Sequence, residues 1–417
     1  MDAAGRRALI EKLCSFEGRG PGTDSERRAA DWLVGRLRAM GRRAEAEPTY
    51  VHPEYAVALA LHVALAVAGS LVALVSPPVG FVIVLFAAVS LYLDQNTRLY
   101  LLRRLLFRRA SQNVVSPGPS PDAPARVILS AHYDAAKTGW VFGPRSARTA
   151  KGIPERLRLQ LGPLRLVFWA GFVPLLLTSG LRMAGIDATW LGILQLLPTF
   201  VLLLTFVLLV DIALSGIVPG AYDNASGVAA VLSAAEALDG EPPQNLDVWV
   251  VLPGAEECNA EGMAAWIRRH RKEIDRASTY FINLDSLSFG TVHYLDGEGA
   301  IVTYAMDRRL RELCAAIAAS GSPAADGARP IRIPFHTDAL PTRARGFRAI
   351  SLIGAEEGVG APYYHTHDDT PDKVDDEALS RAVDFTVQLV RALDRDVGRS
   401  RQGGGAAAPV PEAAHQV

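Results

Sequence analysis

The sequence predicts an α/β fold: a three-layer αβα domain around a mainly parallel central sheet, interrupted by two inserted transmembrane helical hairpins. Three observations carry this reading. After Pro219 helix-like and strand-like patterns alternate, which is the signature of βαβ units and a parallel sheet. Upstream, apolar runs near bilayer length come in two close pairs. Short clusters of carboxylate, imidazole and amide side chains fall mostly where strands are expected to end.

Residues 1–54 read as the N-terminal part of the soluble domain. A first amphipathic helix precedes a second, which opens with Thr23 and Glu26 in capping-box spacing and ends at Gly41; the alternating RRAEAEPTYVH then suggests a strand. Tyr55 to Val75 is almost wholly apolar, Pro77-Pro78 breaks the run, and Val79 to Leu93 is apolar again, so 55–93 reads as a membrane hairpin with a very short turn. Residues 94–163 return to the domain through a basic segment, a Pro/Ser-rich link and ARVILSAHYD, a buried-type strand with a polar end. A second hairpin occupies 164–214, from about Leu164 to Leu181 and from about Thr189 to Leu214, with kinks expected at Pro174 and Pro198 and Asp211 near one end. Core helices of a soluble protein are the plain alternative, but closely paired runs of this length rarely occur in soluble cores.

The main part of the domain, 215–397, follows. Helices are expected at Ser226 to Leu238, Glu261 to Arg276 and Met306 to Ala319, strands at Leu246 to Leu252, Thr279 to Leu284 and Arg348 to Ile353, and a closing helix from about Asp376 to Leu393. The Gly/Ala/Pro-biased tail, 398–417, reads as disordered.

Composition bounds the function. A chain of 417 residues that is 49% hydrophobic meets a bilayer somewhere, whereas a net charge of -1 gives no field for nucleic acid or another polyanion. Cys14, Cys258 and Cys314, odd in number and far apart, exclude a disulfide framework and a cysteine zinc site, and fit a reducing compartment. The N-terminus lacks an apolar core of signal-peptide length. Four spans return the chain to the side it left. The domain-side flanks are basic (Arg98, Arg103, Arg104, Arg108 and Arg109; Arg145, Arg148, Lys151, Arg156, Arg158 and Arg165), so the positive-inside rule puts the domain of this cell-membrane protein in the cytoplasm. Few polar residues in the spans and no evident repeat argue against a transporter.

Five clusters carry chemistry: His132-Tyr133-Asp134, Asp223-Asn224, Glu256-Glu257, Asp285 and His365-Thr366-His367-Asp368-Asp369. Taken singly each has a structural reading: a hydrogen-bonded pair, an N-cap, a solvated pair at a helix start, a strand-end turn. Together, at the carboxyl ends of strands in an open α/β sheet, they converge on one crevice. Two histidines and three carboxylates form a nitrogen/oxygen set suited to two zinc ions sharing a bridging carboxylate, and such a pair activates one water for attack on an amide. The remaining carboxylate of the Glu pair is then free to act as base.

The stretches VILSAHYDA, PGAYDNASGVAAVL, VWVVLPGAEECNAEG, TYFINLDS and YYHTHDDTPDKVD resemble the di-zinc exopeptidases of clan MH, which include leucyl-type aminopeptidases, glutamate carboxypeptidase and glutaminyl cyclase. The resemblance implies that His132 and Asp285 bind one zinc, Glu257 and His365 the other, and that Asp223 bridges them. Glu256 would be the general base, and Asp134 would assist by bonding the far nitrogen of His132 or bracing its loop. Either His365 or His367 could reach metal; the family pattern, a His-Thr followed after two residues by Asp-Thr, selects His365. In PFHTDALPTRARGFRAISLIG, Ala339 and Thr342 stand where the family often has His and Phe. The expected activity is an exopeptidase with peptide substrates, foremost an aminopeptidase; a glutaminyl cyclase-like acyl transfer and a catalytically silent receptor or scaffold are the rivals.

Overall fold

The computed structural model describes residues 1–143, 162–356 and 363–402. Its strands, β1 (Glu45–Val51), β2 (Arg109–Ser116), β3 (Ala125–Ser130), β4 (Leu246–Leu252), β5 (Thr279–Asp285), β6 (Thr291–Glu298), β7 (Tyr304–Ala305), β8 (Arg329–Ile333) and β9 (Arg348–Ala355), form one sheet in the order β1-β2-β4-β3-β5-β9-β6-β7, with β8 paired to β6. The sheet is mixed, which corrects the mainly parallel expectation. Only β4, β3, β5 and β9 make a continuous parallel block; β1 and β2 on one side and β6 and β7 on the other join antiparallel. Antiparallel returns need no crossover helix and leave no βαβ signature, and β2, RASQNVVS, opens with polar residues that read as a link.

Strand direction places the insertions. β1 runs against β2 and β2 against β4, so β1 points the same way as the parallel block. Val51, Ser130, Leu252, Asp285 and Ala355 therefore end on one edge of the sheet, and Arg109, paired with Val51, begins β2 there.

Helices α1 (Ala3–Cys14) and α2 (Asp24–Ala39) start as their caps dictate: Asp2 accepts from the amide of Gly5 at 2.8 Å and Thr23 Oγ1 from that of Glu26 at 3.1 Å. Four helices, α3 (Tyr55–Val72), α4 (Pro77–Gln95), α5 (Pro163–Met183) and α6 (Thr189–Leu214), are long and apolar enough to cross a membrane. Pro77 and Pro78 do not only break the first run; they open α4, where the missing amide hydrogen costs no helical bond. In α5 the turn Phe168–Phe172 widens just before Pro174, whereas Pro198 is carried inside a continuous α6. Gln195 of α6 donates to the carbonyl and hydroxyl of Ser70 in α3 at 2.7 and 2.8 Å, one of several polar ties within the bundle, with His62–Ser90 and Ser70–Thr199 among the others.

The soluble helices that follow are α7 (Ser226–Gly240), α8 (Glu261–His270), α9 (Arg308–Ala318), α10 (Ala339–Arg343) and α11 (Asp376–Gln402). Ala229, Val231 and Leu232 of α7 and Leu379, Phe385 and Leu389 of α11 are buried in one apolar core with β3, β4 and β5. The closing helix outruns its expected end at Leu393, so the start of the expected tail is helical. The rest of that tail, and Arg145, Arg148, Lys151, Arg156 and Arg158, lie outside the described residues.

Candidate metal centre

The carboxyl edge of the parallel block supplies most of the centre. His132 follows β3 by two residues, Asp285 is the last residue of β5, and Glu256 and Glu257 follow β4 after Pro253-Gly254-Ala255. Asp223 comes from the loop between α6 and α7, and His365 from the segment between β9 and α11. All are buried except Glu257, which is partly so. Asp223 sits between the two histidines and turns one oxygen to each: Oδ1 is 3.3 Å from His132 Nε2 and Oδ2 is 3.4 Å from His365 Nε2. Glu257 Oε2 lies 3.4 Å from His365 Nε2, and Asp285 Oδ1 lies 4.0 Å from His132 Nε2. Tetrahedral zinc with ligands at about 2.0–2.1 Å sets ligand atoms about 3.3 Å apart, so the three shorter separations fit such ions and Asp285 stands farther off. The buried Glu257 Oε1 has no hydrogen-bond partner among the described residues, as expected of an atom that awaits a cation. His132, Asp223 and Glu257 alone already group closely enough to hold a metal ion.

Other residues hold these in place. Asp134 accepts from the amides of Glu256 and Glu257, both at 3.0 Å, and its Oδ1 is 3.5 Å from His132 Nδ1, so one carboxylate orients the Glu pair and faces the imidazole. Asp369 accepts from the amides of Tyr222 at 2.6 Å and Asp223 at 3.1 Å. Asn224, joined to Asp223 by a cis peptide, ties the loop to the end of β5 by donating to the carbonyl of Leu284 at 3.0 Å and accepting from the amide of Ser286 at 2.9 Å. Gly227 permits this approach, since a Cβ there would lie 2.4 Å from the Leu284 carbonyl. Ala255 beside Glu256, Ser286 beside Asp285, and His365 itself all have φ near +55°, a conformation that L-residues rarely adopt.

Residues 210–390 match peptidase family M28. The M28 segment contains Asp223, Glu256, Glu257, Asp285 and His365, while His132 and Asp134 precede it. The fold resembles the LapA aminopeptidase of Legionella pneumophila (TM-score 0.51, 12% identity, 94% of this chain and 71% of that one). It also resembles a Zn-dependent exopeptidase from Parabacteroides distasonis (TM-score 0.51, 14% identity, 94% and 97%) and a Bacteroides thetaiotaomicron glutaminyl cyclase bound to N-acetylhistamine (TM-score 0.52, 14% identity, 94% and 97%). At such identities the likeness is one of fold. No curated protein matches the sequence.

Electrostatics in and around the M28 segment are dominated by burial. Burial drives Glu256 and Glu257 well above the usual carboxylate range; the charge of Asp338 adds to the first and that of Asp223 to the second. Burial also raises Asp285 to about 6. Asp223 goes the other way, because hydrogen bonding to His132 and His365 outweighs its burial. For His132 burial is likewise overcome, by Asp134 and Asp223, and its pKa rises well above the ordinary value. A set that repels its own negative charge this strongly is one that a divalent cation would neutralise.

The structure brings together every metal-type residue named from the sequence. His367, the rival to His365, is exposed. Sequence reasoning missed three features. Asp338 is fully buried with no partner for either oxygen among the described residues, and burial raises it to about 8. Asp369 lies in the His365–Asp369 cluster, but nothing local in the sequence shows that it braces the amides of Tyr222 and Asp223. Over His365 lie Tyr364, stacked at 3.9 Å between ring centroids, and Phe142 at 4.6 Å, with Phe335 stacked on Tyr364 at 5.9 Å. Only the juxtaposition HTD in 336–338 signalled the first; the aromatic cover comes from separate loops and has no local pattern.

Proposed function

We propose that the protein is a membrane-integral zinc metallopeptidase acting as an aminopeptidase, with two zinc ions per chain. The M28 match supports a zinc metallopeptidase-like function, and the observation that carries the finer reading is Asp223, whose two oxygens face different histidines as a bridging carboxylate must. His132 and Asp285 would hold one ion, Glu257 and His365 the other. When bound, the pair would lower the pKa of a shared water and polarise the scissile carbonyl. Glu256 would take a proton from that water and deliver it to the departing amine; its buried, raised pKa suits both halves of the task. Asp134 keeps Glu256 aimed through the backbone amide it accepts from.

The four apolar helices support a place in the cell membrane, and the basic flanks favour a cytoplasmic domain, in which case protease added to intact cells leaves the domain uncut. A peptide-library digest, read by mass spectrometry with zinc supplied or chelated, tests the activity. Loss of terminal residues only with zinc supports the reading; absence of zinc-dependent cleavage of every peptide sinks it. A metal content of two per chain separates the peptidase from a glutaminyl cyclase-like enzyme, which generally works with one zinc, and unaltered biology on loss of hydrolysis would favour a scaffold.

A further inference from the structure

Both helical hairpins leave the same edge of the sheet that carries the candidate centre. The first runs from the carboxyl end of β1 to the start of β2, and the second from the strand-end loop of His132 to the loop of Asp223. All four helix roots consequently touch loops that position the centre. At the first, Pro53, Glu54 and Tyr55 share with Glu257 the wall of a cavity of about 130 Å³. At the second, Asp94 accepts from Arg103, whose guanidinium also reaches the carbonyl of Cys258 at 2.7 Å, one residue beyond Glu257. At the third, Gly162 abuts Pro334, the neighbour of Phe335 in the aromatic cover. At the fourth, Asp211 accepts from the amide of Trp140 at 2.6 Å, and Ala213 accepts from Lys137 at 2.8 Å; both donors lie in the loop that sets Phe142 against His365.

The surface beside these roots has the composition of an interfacial belt. Tyr50, Leu105, Phe107 and Trp140 are each more than half exposed, and Arg108 and Arg109 lie over the rings of Tyr50 and Phe107 at 5.4 and 5.3 Å. Aromatic rings with cations alongside them suit the headgroup region of a bilayer and not open water. A bundle whose four roots all touch the loops of the centre would hold that centre close to the membrane face.

We propose that the substrates are polypeptides anchored in the same bilayer, whose free termini enter the centre at the membrane surface. This rests on the zinc peptidase reading above and on the four helices spanning a bilayer. The reaction itself is ordinary hydrolysis: one water adds across the amide, its hydroxyl to the acyl carbon and its proton to the departing amine as the C–N bond breaks.

The test uses the full chain with zinc in vesicles and one hexapeptide in three forms: free, or joined at its far end to a hydrophobic helix through a spacer of about 3 or about 20 residues, which extend to about 10 and 70 Å. Sharing a bilayer raises the effective concentration of both tethered forms, so the spacer comparison is the one that reports height above the membrane. The short-spacer peptide should be hydrolysed at least about tenfold faster than the free one and no slower than the long-spacer form. A requirement for the long spacer, or equal rates for free and tethered peptide, overturns the inference while leaving the peptidase intact. If no form is cleaved in a zinc-dependent manner, the peptidase reading fails and the inference falls with it.

Discussion

Asp223 meets two demands at once, since its side chain must face two imidazoles while its backbone turns out of one helix and into the next. The second demand is met by Asp369, Asn224 and Gly227, and this explains why a run of small and polar residues follows it. The metal-type residues were legible in the sequence because they are chemically conspicuous and fall at expected strand ends. Between His365 and His367 the family pattern selects the first, and the fold buries that ring and exposes the other. Asp338 was barely legible: beyond the bare HTD of 336–338, what marks it is burial without a partner among the described residues. At this scale the sharpest expectation concerns Glu256. Glu256→Gln keeps the shape and removes the base, so the hydrolysis rate should fall by about 10²–10⁴-fold while zinc content by elemental analysis stays at the wild-type level; loss of zinc in step with activity would reassign Glu256 as a ligand.

Among the elements, the helical hairpins could be read from apolarity alone, whereas the outer strands of the sheet could not, because half-polar antiparallel strands lack both an apolar run and a crossover helix. The tie between hairpin and domain was hidden as well. Arg103 was counted among the basic residues flanking the membrane, yet it is fully buried, with Asp94 at 2.6 Å and Glu261 at 3.1 Å, and Glu261 in turn accepts from the amide of His52. Removing Arg103 leaves two buried carboxylates without their counter-charge. Arg103→Met should therefore cost about 3–5 kcal/mol and lower the thermal midpoint in detergent, while Arg104→Met, at an exposed neighbour, leaves it unchanged. Equal midpoints for the two variants would show that the knot contributes nothing.

For the whole molecule, the crowding of carboxylates links stability to pH and to zinc. In the metal-free protein burial raises Asp285 from its ordinary value to about 6, so its contribution to stability is complete below the unfolded value of 3.8 and is lost as pH rises through 6. The raised His132 pushes in the same direction at higher pH. A bound cation reverses both effects, because it binds the deprotonated forms. The gain in melting temperature on adding zinc to chelator-treated protein should accordingly grow between about pH 4 and pH 7; a gain independent of pH would mean that zinc binds elsewhere. The α/β class of the domain followed from its central strands, whereas the mixed sheet is a property of pairings between segments far apart in sequence.

One such pairing bears on how the protein is made. β1 and β2 are neighbours in the sheet, but the whole first hairpin is synthesised between them, and the second hairpin separates His132 from Asp223. Contacts of such long range close slowly, because the entropy of loop closure is lost before they form. With the hairpins lodged in the bilayer as proposed, insertion becomes a checkpoint on maturation. A nascent chain that misses the membrane would then lack the frame that brings the two halves of the centre together.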